Sequence, residues 1–256
     1  MTDFGQSPQG DSNQSDLKSS KPLSARAKWR RLKKNVFVSF FVDLVVIVAT
    51  ALVLSLLVKT FLIRSFFIPS GSMLETLQIQ DRIIVNELVP EVIPLQRGDV
   101  VVFRDPGNWL GPVERPQQNF FEATGEWFLS AFGFVAPDSA QHLVKRVIGV
   151  EGDRVVCCTP EGKITINGVA IDEPYLPKDV EPSVLDFDVT VPKDSFWVMG
   201  DNRSGSEDSR YHQDLPSKGF VEKKHVVGRA FVVSWPFSHW QWLDNYPNVF
   251  KDVPKP

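Results

Sequence analysis

The sequence has little cysteine and histidine and no internal repeat. Two Cys among 256 residues are too few for a disulfide scaffold, and the lack of a repeat excludes a solenoid. Positive charge is not in excess either: the formal net charge is −3 and the pI is about 5.8, which argues against a nucleic-acid-binding protein. At 43% hydrophobic residues, the chain is too apolar to be disordered. These exclusions leave a folded protein of one or two domains.

The charge is distributed unevenly along the chain. Residues 1–35 carry eight Lys or Arg against three Asp, a net charge of +5. Residues 36–58 carry only Asp43, and residues 59–256 carry twenty Lys or Arg against twenty-seven Asp or Glu, a net charge of −7. The low net charge and the mean hydropathy of −0.11 are therefore averages over three different segments.

Residues 36–58 are almost entirely apolar, with 19 apolar residues out of 23. A helix of this length is about 34 Å long, enough for a hydrocarbon core of about 30 Å. The run is longer than the apolar part of a cleaved signal peptide, about 7–15 residues, and no small-x-small cleavage site follows it. We therefore expect an uncleaved transmembrane anchor. A buried helix of a soluble domain is the alternative, but it rarely needs to be apolar all round. Asp43 is assigned no role.

A basic cluster directly before the span indicates its orientation. Clustered Lys and Arg stay on the cytoplasmic side, so we expect residues 1–35 in the cytoplasm and residues 59–256 outside the plasma membrane. A nucleic-acid patch is the alternative, but the position next to a span favours topology. Residues 1–25 are rich in Ser, Gln, Asp and Gly and are predicted to be a disordered tail. The cluster comprises Arg26, Lys28, Arg30, Arg31, Lys33 and Lys34.

Residues 59–256 are predicted to fold as one mostly β domain, because short β-branched runs recur between turn signals. Residues 164–171 (ITINGVAI) predict a hairpin with a type I′ turn at Asn167-Gly168. The predicted strands are Arg82–Val85, Asp99–Phe103, Val144–Val150, Arg154–Val156, Ile164–Ile166, Val189–Val191, Phe196–Met199 and Val226–Val233.

Two features of this domain stay open. Residues 105–141 are rich in Trp and Phe and predict an insert, whose aromatic side chains either pack on the main sheet or contact the outer membrane leaflet. The adjacent Cys157 and Cys158 are either two buried thiols or a vicinal disulfide, since oxidation is permitted in an exported domain. These two Cys lack His or Asp partners and the four His show no ligand spacing, so no metal or cofactor is predicted.

Four motifs bear on function. The segment Ile68–Met73 (IPSGSM) begins ten residues beyond the span. Small residues around a Ser permit close approach of a substrate, and such a Ser needs an adjacent base to act as a nucleophile. The other motifs are Arg97–Phe103 (RGDVVVF), Lys145–Asp153 (KRVIGVEGD) and Gly200–Arg203 (GDNR), which continues to Asp208–Arg210 (DSR).

In this order, behind a basic flank and an anchor, the motifs resemble the conserved boxes of bacterial type I signal peptidases. The resemblance covers the whole chain, and the run NWLGP at 108–112, the Cys pair and the single span are most similar to actinobacterial members. It implies a domain of coiled β-sheets or half-barrels and a membrane-bound serine endopeptidase. Such an enzyme removes signal peptides from secreted preproteins after small-x-small sites such as Ala-x-Ala, near the secretion translocon, and needs no cofactor.

The resemblance also implies roles for individual residues. Ser72 matches the nucleophile and Lys145 the general base of a dyad that works through an acyl-enzyme. Ser70 matches the hydroxyl that forms the oxyanion hole with the backbone N–H of Ser72, and Ser206 matches the Ser that orients the lysine. The remaining matches are Asp208 and Arg210 (a supporting pair), Asp201, Asn202 and Arg203 (a structural loop), and Phe66, Ile68 and Val144 (the substrate pockets).

The proposed base must be neutral to accept a proton. A free Lys has a pKa of about 10.4, and burial among apolar neighbours lowers that pKa. Lys145 follows Leu143 and Val144 in a strand-like run, so it is buried if it points inward; a surface Lys beside Arg146 is equally compatible with the sequence.

Three rival interpretations fit the sequence less well. A Ser–His–Asp site would use His142 or His212, but neither stands at a motif position. A self-cleaving repressor shares Ser–Lys chemistry, but it is soluble and carries a DNA-binding helical domain that this sequence lacks. The third is a membrane-anchored binding or scaffold protein without catalytic activity, but such a protein would not require Ser72 and Lys145.

Overall fold

The computed structural model describes residues 36–111, 141–177 and 180–256. The chain divides into two compact units, residues 1–53 and 54–256. A single helix is followed by short strands and 3-10 turns in the described residues. The elements are α1 (Val36–Phe61), β1 (Ile63–Phe67), β2 (Arg82–Asn86), β3 (Val100–Arg104), β4 (His142–Gly149), β5 (Arg154–Cys157), β6 (Thr165–Ile166), β7 (Val169–Ala170), β8 (Phe187–Thr190), β9 (Ser195–Met199), β10 (Val221–Glu222), β11 (Val226–Trp235) and β12 (Gln241–Trp242), with 3-10 helices at Arg203–Gly205, Ser209–Tyr211, Lys223–His225 and Phe237–His239.

Helix α1 covers the apolar run that predicts a membrane span. Its stretch Val38–Leu56 has 19 residues and is long and apolar enough to cross a membrane. No residue of this stretch is buried by the part of the chain that the structure describes. An apolar helix with exposed side chains suits a lipid environment, because hydrocarbon side chains are unfavourable in water. The helix ends three residues later than the predicted span.

The larger sheet contains eight antiparallel strands in the order β1-β2-β11-β3-β4-β9-β10, with β12 paired to β11. Strand β4 lies between β3 and β9. Val101 of β3 is opposite Lys145, and Met199 of β9 is opposite Arg146. The segment that follows Met199 therefore begins beside Lys145.

The smaller sheet has four strands in the order β7-β6-β5-β8. Strands β6 and β7 form the predicted hairpin, with Thr165 opposite Ala170 and Ile166 opposite Val169. Asn167 and Gly168 have φ values of 51° and 83°, the left-handed conformation that a type I′ turn requires at both central positions. The predicted hairpin is confirmed.

A hydrophobic cluster fastens the loop that contains Ser72 to the larger sheet. Met73, the next residue, is 1% exposed, and Leu77 one turn later is fully buried. Both pack with side chains from β1, β2, β3 and β11. Burying a Met and a Leu contributes about 1.5–3 kcal/mol each, so the core holds the nucleophile loop on the sheet.

The predicted mostly β domain behind an apolar helix is confirmed. The predicted strands are present, and their ends differ by one or two residues. Strands β1, β10 and β12 were not predicted. Strands β10 and β12 have two residues each, which is too few for a periodic pattern in the sequence. They form by pairing with the edges of β9 and β11.

The structure also bears on the features left open. Cys157 and Cys158 are joined by a disulfide. The predicted tail at 1–25, the basic cluster and residues 112–140 of the predicted insert lie outside the described residues.

Candidate active site

Ser72 and Lys145 come from distant parts of the chain and meet. Ser72 lies in the loop between β1 and β2, and Lys145 lies in β4. The Nζ atom of Lys145 is 2.7 Å from Oγ of Ser72 and also donates to the carbonyl of Val144 at 3.1 Å. At this separation a proton can pass directly between the hydroxyl and the amine.

Burial lowers the pKa of the Lys145 amine from 10.5 to about 8. The residue is 3% exposed, and loss of hydration disfavours the ammonium form. The carboxylates of Asp208 and Asp201 act in the opposite direction, and the guanidinium of Arg210 lowers the pKa further. Of the two environments that the sequence leaves open, Lys145 has the buried one.

The backbone of the Ser72 loop is held by Asn202. The backbone N–H of Asn202 donates to the carbonyl of Ser72 at 3.1 Å. Its side-chain amide donates to the carbonyl of Gly71 at 2.9 Å. These two hydrogen bonds from Asn202 therefore hold the backbone at Gly71 and Ser72 in place, and with it the Ser72 hydroxyl.

Gly200 lets this second loop approach the first. A Cβ atom at position 200 would overlap the Oγ atom of Ser206 and the carbonyl oxygen of Ser72. Gly200 directly follows Met199, the last residue of β9, and Met199 is paired with Arg146 in β4. The absence of a side chain at this point brings the Gly200–Ser206 segment against the nucleophile loop.

Ser206, Asp208 and Arg210 form a buried network beside these loops. The Oδ2 atom of Asp208 accepts hydrogen bonds from the Ser206 hydroxyl and from the backbone N–H of Gly200, both at 2.9 Å. Arg210 donates to both carboxylate oxygens of Asp208 at 2.8 Å. In the part of the chain that the structure describes, Ser206 thus hydrogen bonds to Asp208 rather than to the amine of Lys145. The orienting role of Ser206 stays a prediction.

Arg146 and Asp201 form a second buried network. Nε and Nη2 of Arg146 donate to the two carboxylate oxygens of Asp201 at 2.9 and 2.6 Å, and Thr76 donates to Asp201 at 2.5 Å. The guanidinium also lies 4.2 Å from the ring centre of Tyr175 and 5.2 Å from that of Tyr246. Removing one partner of such a buried pair typically costs about 3–5 kcal/mol, so this network holds β4 and the 200–206 segment together.

Arg203, the third residue of the predicted structural loop, is held in the same way. Its guanidinium donates to both carboxylate oxygens of Glu173, at 2.9 and 2.6 Å. Both side chains are almost fully buried. The loop that contacts Ser72 is therefore anchored at Asp201 and at Arg203, on either side of Asn202.

The hydroxyl of Ser70 lies near the nucleophile. Its Oγ atom is 3.5 Å from Oγ of Ser72, and Ser70 is exposed. A hydroxyl at this distance from the nucleophile is close enough to donate a hydrogen bond to the oxyanion, which develops on a carbonyl oxygen when Ser72 attacks the adjacent carbon.

A pocket of about 130 Å³ opens beside Ser72. The predicted pocket residues Phe66, Ile68 and Val144 all line it. Phe66 and Ile68 are 2% and 3% exposed, so they form a wall that is part of the core. The other lining residues are Phe67, Pro69, Ser70, Ser72, Met73, Leu110, His142, Leu143 and Lys145.

The two His near the motifs have other contacts. The Nδ1 atom of His212 is 2.8 Å from the carbonyl of Asp208, and the ring of His142 lies 5.1 Å from that of Phe66. The partner of Ser72 is Lys145. Within residues 36–111, 141–177 and 180–256, no three His, Cys, Asp or Glu side chains form a group that could hold a metal ion.

Sequence reasoning assigned no role to Thr76, Glu173, Tyr175, Tyr246 or Leu110. All five act through contacts with residues far away in the chain, and none stands in one of the four motifs. A partner for each buried arginine could have been anticipated, because Arg is almost never buried unpaired, but its identity could not.

Similar sequences are found over most of the chain. The family described as "Signal peptidase, peptidase S26" matches residues 41–235. A signal peptidase I from Mycobacterium tuberculosis is 38% identical over 218 residues, which cover 77% of this chain and 74% of that protein. A probable signal peptidase I from Mycobacterium leprae is 38% identical over 202 residues, covering 68% and 69%. A crystal structure of a signal peptidase I from Enterococcus faecalis is 26% identical, covers 53% of this chain and 95% of that chain, and has a TM-score of 0.33. The two mycobacterial relatives confirm the expected similarity to actinobacterial members.

Proposed function

Because this chain belongs to the signal peptidase family, peptidase S26, we propose that it removes N-terminal signal peptides from secreted preproteins with Ser72 as nucleophile and Lys145 as general base. It is a serine peptidase and hence a hydrolase. The observation that carries the catalytic assignment is the 2.7 Å separation between Nζ of a buried Lys145 and Oγ of Ser72.

The first chemical step is proton transfer from Ser72 to neutral Lys145. With a pKa of about 8, about a tenth of the lysine is neutral at pH 7. As the proton moves to Nζ, the Ser72 oxygen attacks the carbonyl carbon of the scissile peptide bond and a tetrahedral oxyanion forms. The hydroxyl of Ser70 and the backbone N–H of Ser72 donate to that oxyanion.

Collapse of this intermediate and hydrolysis of the resulting ester complete the reaction. The ammonium of Lys145 gives its proton to the leaving amine, the peptide bond breaks and the mature protein departs. The signal peptide stays attached to Ser72 as an ester. Lys145, neutral again, takes a proton from a water molecule, whose oxygen attacks the ester carbon. As the ester C–O bond breaks, the proton passes from Nζ to the Ser72 oxygen, which regenerates the Ser72 hydroxyl and releases the signal peptide with a free carboxyl end. Ser–Lys sites follow the same logic as the Ser–His–Asp triad.

The pocket beside Ser72 supports a preference for small side chains near the cut. Its volume of about 130 Å³ and its walls of Phe66, Ile68 and Val144 suit alanine, in line with cleavage after Ala-x-Ala. A hydrophobic pocket discriminates about 1–3 kcal/mol per methylene. On the side formed by Phe66 and Ile68, a larger residue would have to displace core side chains.

The anchor supports action at the membrane. Only nine residues separate the predicted span from Ile68, which keeps Ser72 near the bilayer surface. We further propose that residues 59–256 lie outside the plasma membrane, beside the translocon from which preproteins emerge. The basic segment before the helix supports this orientation.

The test uses the full chain in detergent and a preprotein whose signal peptide ends in Ala-x-Ala. Ser72→Ala and Lys145→Ala are each expected to lower cleavage by at least about a thousandfold, because each removes half of the dyad. Ser238→Ala and Lys251→Ala, both at exposed positions, are matched controls that retain activity. Wild-type activity in either dyad variant would refute the assignment.

A further inference from the structure

The segment 105–110 is a preorganised loop. One carboxylate oxygen of Asp105 accepts hydrogen bonds from the backbone N–H groups of Gly107 and Trp109 at 3.0 and 2.8 Å, and the other accepts one from Leu110 at 3.1 Å. Although burial alone would raise it, the pKa of Asp105 is lowered, because these backbone donors favour the charged carboxylate. A single side chain thus sets the path of the loop.

Trp109 attaches this loop to the catalytic region. Its indole is 5% exposed, meets Phe103 edge to face with ring centres 5.7 Å apart, and stacks on His212 at 4.4 Å with an angle of 4° between the rings. The Nδ1 atom of His212 lies 2.8 Å from the carbonyl of Asp208. The loop is therefore fixed to the strand β3 at one side and to the Asp208 segment at the other.

The residue that follows Trp109 reaches the substrate pocket. Leu110 lines the pocket together with Phe66, Ile68, Val144 and Ser72. Phe66 and Ile68 belong to the core, whereas Leu110 is 39% exposed. One wall of the pocket, Phe66 and Ile68, therefore cannot be substituted without disturbing the core. The other wall, Leu110, can be substituted at little cost in stability.

We propose that Leu110 is a specificity-determining residue, which limits the size of a substrate side chain bound beside Ser72, and that Asp105 is the positioning residue that holds it there. The proposal rests on the proposed function. Leu110 stands outside the four motifs, so its contribution is set by this loop and not by the shared catalytic machinery. Replacing Leu110 by Ala removes three carbon atoms from the pocket wall and opens room for a larger substrate residue.

The experiment compares kcat/KM for peptides in which each small residue of an Ala-x-Ala site is replaced singly by Val or Leu. For the full chain in detergent, Leu110→Ala is expected to raise kcat/KM for a Val or Leu peptide, relative to the Ala-x-Ala peptide, by roughly tenfold or more at one of the two positions. Leu110→Phe is expected to lower the same ratio. Asp105→Ala is expected to relax the preference in the same direction as Leu110→Ala, and the double variant to add little, because both act through one side chain.

Val92→Ala, an equally simple truncation at a 72% exposed site away from the pocket, is the matched control and keeps the wild-type ratios. Thermal unfolding midpoints near the wild-type value identify the folded variants. Unchanged ratios at both positions in Leu110→Ala and Leu110→Phe would overturn the proposal while leaving the proposed function intact. Failure of the proposed function looks different: the wild type would cleave none of the peptides, or Ser72→Ala would cleave them.

Discussion

At the scale of single residues, burial of Lys145 makes its amine a usable base and also lowers the stability of the folded protein. Its amine is buried, touches Ser72 and lies near the carboxylates of Asp208 and Asp201. Those carboxylates would raise the pKa, yet burial dominates and brings it to about 8. The same burial that makes the amine a usable base disfavours its charged form in the folded protein.

The pH dependence of cleavage follows from this pKa. The neutral amine is the active form, so kcat/KM is expected to rise about tenfold per pH unit below pH 8 and to level off above it. Steady-state cleavage of an Ala-x-Ala peptide between pH 6 and 9.5 measures the profile. A flat profile over that range would argue against Lys145 as the base.

The stability cost can be measured with Lys145→Met, which keeps the length of the side chain and removes the charge. The pKa difference between 10.5 and about 8 corresponds to at most about 3 kcal/mol, so this inactive variant is expected to be about 1–3 kcal/mol more stable than wild type at pH 7. Between pH 8 and 10.5 the unfolded lysine binds a proton that the folded one does not, so wild-type stability rises with pH there. Lys145→Met lacks that rise.

Thermal unfolding followed by Trp fluorescence, at pH 7 and pH 9.5 in one detergent, gives both comparisons. The advantage of the variant over the wild type is expected to shrink at pH 9.5. An equal advantage at both pH values would contradict a buried amine with a lowered pKa.

At the scale of elements, the site depends on how the segment after β9 meets the loop after β1. Gly200 permits the approach, and Asn202 supplies two hydrogen bonds to the backbone of Gly71 and Ser72. The buried pair of Arg146 and Asp201 fastens that segment to β4. Three elements therefore fix the distance between nucleophile and base.

Asn202→Ala tests this arrangement. Loss of the hydrogen bond to Gly71 is expected to lower kcat by about 10- to 100-fold with little change in KM, because small displacements of a nucleophile have effects of that size. Asn248→Ala, at an exposed position, serves as the matched control. A change confined to KM would indicate that Asn202 acts on substrate binding instead.

At the scale of the whole molecule, three segments with different charge and hydropathy follow one another. A basic segment with a net charge of +5 precedes the apolar helix, and a segment with a net charge of −7 follows it. Clustered positive charge is retained in the cytoplasm. The acidic segment carries the candidate site and is proposed to face outward, where it meets emerging preproteins.

Protease added outside cells from which the wall has been removed tests this topology. Residues 59–256 are expected to be degraded, while an epitope tag fused before residue 1 survives within the cell. Immunoblotting measures how much of the tag and how much of residues 59–256 stays intact. Degradation of the tag and protection of the catalytic part would reverse the orientation.

Much of the fold was predictable from the sequence, because its signals are local. An almost entirely apolar run predicts α1, and short β-branched runs between turn signals predict most strands. The motifs identify Ser72 and Lys145 as candidates. The burial of Lys145 was not predictable, since an inward and an outward lysine have the same neighbours in the sequence. The contacts of Thr76, Glu173 and Leu110 carry no local signal at all.

The sequence by itself determined where the anchor lies, which segments form strands and which residue types are available for chemistry. Only the tertiary structure decided that Ser72 and Lys145, 73 positions apart, lie within 2.7 Å, and that Asn202 reaches Gly71 across 131 positions. The physical reason is that helix and strand formation depend on neighbours along the chain. A lowered pKa and a 2.7 Å contact depend instead on which strands pair and on what their packing excludes from water.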